Sequence, residues 1–442
     1  MTAIHDPRAL LRELYDTAIA AADPHRALRT ALERVPLTAA PIHLLALGKA
    51  AEPMARAAVA HLAAAGRAPA GGVCVGPAPF EPPHPALPVV TGDHPEPGDG
   101  SFAAAEALGD AVARIGAASE TWVLLSGGAT ALLGAPVPGV AREELRALYA
   151  LLLGSGLDIT AMNRIRKRFS RWGGGKLAVA IPSAAIRVFI VSDVIGDDLA
   201  SIASGPCVPD PATAAEVRAA LEAAGLWPKV PPTLRERLAL VERGDAEETP
   251  KGTHPAFGRV TSEIVASNWL AVEAVASRAI GLGLAARAER TPLQGEASVV
   301  AGSVIAAATS YSTYHFSQDP APRPAFIYVQ GGETTVTLGP EADGLGGRSQ
   351  ELALAAARAL DGQPGIALLA GGTDGRDGPT DAAGAVVDGS TWAEITATGR
   401  DPADHLRRHD AFHALDAVGA LLRPGMTGTN VMDVVVVMVG GR

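Results

Sequence analysis

The side chains in this sequence best suited to handling an anion sit in glycine-bearing turns. Lys49 lies in Leu47-Gly48-Lys49-Ala50, directly after the apolar run IHLLAL. A glycine permits a sharp turn, a following helix aims free N–H groups at it, and the lysine adds a mobile positive charge. That combination suits a phosphoryl or carboxylate oxygen, although a surface lysine at a helix start fits the same residues equally well. Ser126-Gly127-Gly128-Ala129-Thr130 follows TWVLL. Its backbone could cradle an anion, or Ser126 could be an ordinary N-cap. Asn163-Arg164-Ile165-Arg166-Lys167-Arg168 is the densest basic stretch and runs on through Ser170 into Gly173-Gly174-Gly175-Lys176. Guanidinium groups offer a fork for carboxylate or phosphate. A solvated helix face accounts for some of the charges but not for the adjoining glycines. Asp193, Asp197 and Asp198 follow RVFIVS, three carboxylates able to offer oxygen ligands to Mg²⁺. Asp197 and Asp198 fit equally well as charges at a helix start, which leaves Asp193, at the strand end, as the stronger metal candidate.

The C-terminal half is richer still. Gly331-Gly332-Glu333 ends the run AFIYVQ, and Gly346-Gly347-Arg348-Ser349-Gln350-Glu351 opens a helix. Gly371-Gly372-Thr373-Asp374-Gly375-Arg376-Asp377 follows GIALLA, and Thr427-Gly428-Thr429-Asn430 precedes the final apolar run. The aspartate spacing is not that of an EF-hand loop. No Walker A sequence, protein-kinase set or nucleophile-elbow motif occurs. Gly281-Leu282-Gly283-Leu284-Ala285-Ala286 has the outline of a dinucleotide fingerprint, but it ends a helix and leads into a strand, the reverse of the required polarity.

These turns need a scaffold of strands and helices. Apolar runs alternate with Ala-rich stretches over most of the 442 residues, a rhythm that predicts an α/β protein: two α/β domains with mainly parallel sheets and an interdomain active-site cleft. The division is expected as residues 1–250 and 251–442, with the Pro-punctuated segment 206–255 near the boundary and the chain able to cross between domains. The sequence is 48% hydrophobic and carries a net charge of −10, with a pI near 5.6. An acidic chain with 4% aromatics argues against nucleic-acid or anionic-membrane partners and for a local basic pocket around a small anion. Two cysteines, no apolar leader and no run long enough to span a bilayer fit a cytoplasmic protein. Oligomeric state is not legible.

SGGATALL, N-x-x-R-K-x-x-S with its glycine run, SDVIGDDLASIASGP, GGETTVT, GGRSQELALA, LLAGGTDGRDGPTDAAGAVVDG and TGTNVMD occur in this order and together resemble the glycerate 2-kinase family, with its C-terminal MOFRL domain. Some members of that family carry the older label hydroxypyruvate reductase. The resemblance spans nearly the whole chain. It implies phosphoryl transfer from ATP to the 2-hydroxyl of D-glycerate, with Mg²⁺ or another divalent cation, and two α/β domains with the site in the cleft between them. The family's catalytic lysine, arginine and aspartate fall on Lys49, Arg348 and Asp374. On this basis Ser126, Gly127, Gly128, Asn163, Arg166 and Lys167 are the candidates for substrate. Gly332, Glu333, Asn268, Thr429 and Asn430 are those for nucleotide, and Asp193 is that for metal.

Three positions depart from the family pattern. The usual Lys-Gly-Gly reads Gly173-Gly174-Gly175, the asparagine of GGRNQE is Ser349, and the proline before TGTN is Met426. An NAD(P)H-dependent hydroxypyruvate reductase is the alternative function, and it requires a strand–GxGxxG–helix unit that the sequence lacks.

Overall fold

A computed structural model of the chain describes residues 6–157, 159–317, 325–339 and 342–440. It divides into two compact units, one of residues 24–265 and the other of residues 1–23 with 266–442. The expected division at 250/251 therefore moves to 265/266, and the first helix, Pro7–Ala22, joins the C-terminal unit. Sequence order hides this, because an amphipathic helix does not reveal which sheet it covers.

The N-terminal unit holds a six-stranded sheet of β1 (Ile42–Leu47), β2 (Gly71–Gly76), β3 (Val89–Thr91), β4 (Glu120–Ser126), β5 (Ala185–Val191) and β6 (Val260–Ala266). The strand order is β3-β2-β1-β4-β5-β6, and β2 pairs with β3, β1 with β2 and β4, and β4 with β5, all in parallel. Every residue of β1 and β4 is buried. That is why they read as unbroken apolar runs rather than alternating ones. The chain leaves β1 toward β2 and β3 on one side and returns through β4 toward β5 on the other. The order thus reverses between β1 and β4, the switch point at whose carboxyl ends open α/β sheets bind ligands.

The C-terminal unit holds β7 (Ala285–Glu296), β8 (Phe326–Thr335), β9 (Ile366–Gly372), β10 (Gly384–Asp388), β11 (Leu421–Leu422) and β12 (Asp433–Val439), in the order β11-β10-β9-β12-β8-β7. Here the expectation of a mainly parallel sheet needs correction. Only β7 and β8 pair in parallel, while β8–β12, β12–β9, β9–β10 and β10–β11 are antiparallel. Strand β12 inserts between β8 and β9 and is buried along nearly its whole length. A central antiparallel strand covered on both faces carries the same continuous apolar signature as a parallel one, so composition does not distinguish them. The carboxyl ends of β8 and β9 flank the start of β12 through the pairings Gly332–Asp433 and Gly372–Asp433. That juxtaposition brings three distant motifs together.

Candidate active site

In the N-terminal unit, the turns after β1 and β4 interlock. Gly48 has φ +120°, and a Cβ there would collide with the Ser126 carbonyl and hydroxyl, so this approach requires glycine. Lys49 N–H donates to the Gly127 carbonyl at 3.0 Å, and Ala50 N–H donates to Ser126 Oγ at 2.9 Å. Ser126 therefore caps the start of the helix Ala51–Ala64 from a neighbouring turn and does not serve its own. The aliphatic chain of the exposed Lys49 runs over Gly128, where a Cβ would come within 3.2 Å of Lys49 Cε and of His94 Cδ2. Burial, with the Lys49 charge adding to it, holds the His94 imidazole below its usual pKa. The Asp193 carboxylate, past the end of β5, lies against Gly127. Asp198 is spent on the Ala200 N–H and the Ser201 hydroxyl. Lys49, the Ser126–Gly128 turn, Asp193 and His94 thus gather at the switch point.

The basic stretch forms the helix Ile159–Phe169, and its charges have separate roles. Lys167 is buried and pairs with the buried Asp210 at 3.0 Å. It is therefore not free to hold a substrate carboxylate, and its expected binding role is corrected to a structural one, since a buried charge must be matched inside the fold. Lys176 Nζ donates to the carbonyls of Lys167, Ser170 and Gly173 at 2.7, 2.9 and 3.0 Å. It satisfies the C-terminal carbonyls that a helix leaves unpaired. The displaced lysine of the glycine run is thus a helix cap. Arg166 differs. It is half-buried and lies over the Tyr149 ring at 4.8 Å, and its Nε has no hydrogen-bond partner among the described residues. Asn163, one turn earlier, is half-buried.

In the C-terminal unit, Arg348 opens the helix Arg348–Leu360 and grips the start of β12. Its Nε donates to Asp433 Oδ2 at 2.6 Å and its Nη2 to Asp433 Oδ1 at 3.1 Å, while Nη1 pairs with Glu333 from β8. Burial opposes the guanidinium charge, but the Asp433 and Glu333 bonds outweigh it and hold the pKa above its usual value. Burial also pushes the Asp433 carboxyl upward, and Arg348 opposes that shift. Two of the five guanidinium N–H groups remain to donate elsewhere. Asp374 is half-buried just past β9. Its Oδ1 accepts from Arg376 N–H at 3.0 Å and lies, with Asp433 Oδ1, against Gly372. Beneath this turn the buried Tyr15 hydroxyl donates to the Gly372 carbonyl at 2.6 Å.

Asp377 supports the arginine from the other side. Its carboxylate accepts from the Ser349 and Gln350 N–H groups at 3.2 and 2.8 Å, satisfying donors that a helix start leaves open. Burial pushes its pKa up to about 7 despite those bonds, and the Asp433 charge adds to the shift. A folded-state pKa above the unfolded one makes this group's contribution to stability complete below about pH 4 and lost as pH rises through about 7. The Tm of the protein is expected to fall between pH 5 and 8 more steeply than that of Asp377→Asn. Parallel melting profiles for the two would remove this role.

Residues 10–239 match the family described as Domain of unknown function (DUF4147), and residues 326–433 match the MOFRL family. A glycerate 2-kinase of Pyrococcus horikoshii is 36% identical to this chain, covering 99% of it and 98% of the relative. The chain belongs to the glycerate 2-kinase family. D-glycerate 2-kinase of Thermotoga maritima is likewise 36% identical, over 98% of this chain and 99% of that protein. The crystal structure of a glycerate kinase from Thermotoga maritima aligns with a TM-score of 0.85 at 34% identity, covering 98% and 99% of the two chains.

Not every nucleotide candidate of this family member has groups to spare. Asn268 donates from Nδ2 to the Val431 and Asp433 carbonyls at 2.8 and 2.9 Å, and its Oδ1 packs on Gly331. Thr429 Oγ1 donates to the Ala22 carbonyl at 2.7 Å. Both are buried braces of the strand β12 approach, and their expected contact role is corrected accordingly. Gly332 accommodates the close passage of the Leu293 backbone. Asn430 is exposed, its Oδ1 accepting from Met432 N–H at 3.1 Å. Glu333 faces Arg348. Met426 is 73% exposed, so the missing proline disturbs no packed contact, and Ser349 meets Asp377 through its backbone. Sequence reasoning missed His94, Asp433 and Asp377 as site residues. The last two stood inside quoted motifs, and β12 pairing supplies the reason for Asp433.

Proposed function

We propose that this protein transfers the γ-phosphoryl group of ATP to the 2-hydroxyl of D-glycerate, giving 2-phosphoglycerate and ADP. The observation that carries the reading is the Arg348 guanidinium, held by Asp433 and Glu333 beside Asp374 at the meeting of β8, β9 and β12. Such transfer depends on positioning and charge neutralisation more than on covalent chemistry. Asp374 acts as general base on the glycerate hydroxyl through Oδ2. Arg348 and Lys49 serve the same reaction by neutralising charge on the transferring group. Arg166, whose Nε has no partner among the described residues, and the Ser126–Gly128 turn bind the glycerate carboxylate, with Asn163 adjoining. Glu333 and Asn430 border the nucleotide, and Asn268, Gly332 and Thr429 shape the backbone there.

A divalent cation belongs to this proposal. Among the described residues no three His, Cys, Asp or Glu side chains gather as a metal cage. Asp193 fits the mode in which Mg²⁺ takes one or two protein carboxylates together with substrate phosphates. When bound, the cation neutralises phosphate charge. No helix among the described residues is long and apolar enough to cross a membrane. Two buried free thiols, Cys74 and Cys207, support a cytoplasmic setting.

The test is a paired assay on purified protein. One arm supplies ATP, Mg²⁺ and D-glycerate, with the phosphoglycerate isomer identified by NMR, and the other supplies NAD(P)H and hydroxypyruvate. The expected result is 2-phosphoglycerate in the first arm and no NAD(P)H oxidation in the second. Hydride transfer without phosphorylation would overturn the proposal.

A further inference from the structure

The N-terminal unit contains a recess lined by none of Lys49, Ser126, Arg166 and Asp193. It is a cavity of about 740 Å³ between the C-terminal end of the helix Ile159–Phe169, the helix Pro232–Glu242 and segment 247–255. That volume lies within the range of small-molecule sites.

The charge of its wall is unbalanced: five Lys and Arg side chains line it against the carboxylates of Glu247 and Glu248. Several of these charges are already committed. Arg168 pairs with Glu248, Arg171 with Glu106 at 2.9 Å, and the Lys176 and Lys251 ammonium groups are taken up by backbone carbonyls. Arg237 is different. Its Nη1 donates to the Pro138 carbonyl at 3.3 Å, and no carboxylate pairs with it among the described residues. Burial, followed by the charge of Arg168, pushes its pKa down. The buried Nε of Arg168 also lacks a partner among the described residues. The Arg237 guanidinium, half-buried and without a carboxylate, is costly to leave unmatched, and an anion entering the cavity would relieve it.

We propose that this cavity binds a small phosphorylated metabolite, its phosphate held by Arg237 beside Arg168 and its apolar part resting on Val179, Leu238 and Val241. A phosphate carries close to two negative charges, accepts from the Arg237 fork and matches the excess positive charge of this wall more fully than a single carboxylate would.

Inorganic phosphate and pyrophosphate, titrated at fixed ionic strength into the full chain without ATP or glycerate, provide the test by calorimetry and thermal shift. Saturable binding to the wild type is expected. Lys49→Ala should retain it, and Arg237→Gln should weaken it by about tenfold or more while phosphorylating D-glycerate at the wild-type rate. Val179→Trp, which fills the cavity without altering a charge, should weaken binding similarly and decides the matter if Arg237→Gln does not fold. The proposal fails if the wild type shows no saturable binding or if both cavity variants bind as it does. It also fails if binding is lost in Lys49→Ala and kept in Arg237→Gln, since the phosphate would then be reporting on the reaction residues.

Discussion

Asp374→Asn is expected to lower kcat by about 10²–10⁴-fold, the range for removing a positioned general base, with a much smaller change in the KM for glycerate. The substitution is nearly isosteric. Oδ1 can still accept from Arg376 N–H, so the turn after β9 should persist and its Tm should stay close to wild type. What disappears is the ability to take a proton from the 2-hydroxyl as the phosphoryl group arrives. Near-full activity with an unchanged pH profile would exclude Asp374 as the base.

Arg348→Ala combines two losses. A preorganised charge contact to the transferring group is worth about 10²–10³ in kcat, and the Asp433 carboxylate, 3% exposed, loses its bidentate partner. An orphaned buried charge costs about 3–5 kcal/mol. The guanidinium is partly solvated here, with a side-chain exposure of 34%, so the lower end of that range is expected. With Arg348 gone, only the raising influences on Asp433 remain, so the variant's stability should decline as pH rises through the shifted value. Adding Asp433→Asn should recover most of the lost Tm and none of the activity. Arg348→Lys should recover little of either, because an ammonium cannot reproduce the fork that spans Asp433 and Glu333. If the double variant regained activity, Arg348 would be a structural residue only.

The sequence made the turns legible more readily than the arrangement that joins them. Glycine after an apolar run marks a strand end wherever it occurs, so the Lys49 and Ser126 turns could be read directly. Their interlocking follows from parallel pairing of β1 with β4, which the buried runs predict. Asp433 was not picked out as a site residue because its importance depends on β12 lying between β8 and β9, and an antiparallel insertion leaves no mark in composition. Lys167 and Asn268 failed as binding candidates for a related reason. Their partners, Asp210 and the Val431 and Asp433 carbonyls, are far away in sequence, and a polar side chain satisfied inside the fold has the same letter as one waiting for a ligand. Asp377 was passed over because a carboxylate capping a helix from a distant loop has no local spacing signature.

The helix Pro7–Ala22 also gives the chain a temporal order. It is made well before the sheet it covers, which begins only after residue 265. At about 5–20 residues per second, translating the intervening segment takes on the order of 10–50 s. During that interval residues 24–265 can fold while the apolar face of the helix, with Leu11, Leu14 and Tyr15, waits uncovered. The Tyr15 hydroxyl reaches the Gly372 carbonyl beneath the Asp374 turn, so that turn gains its support only once β9 has been made.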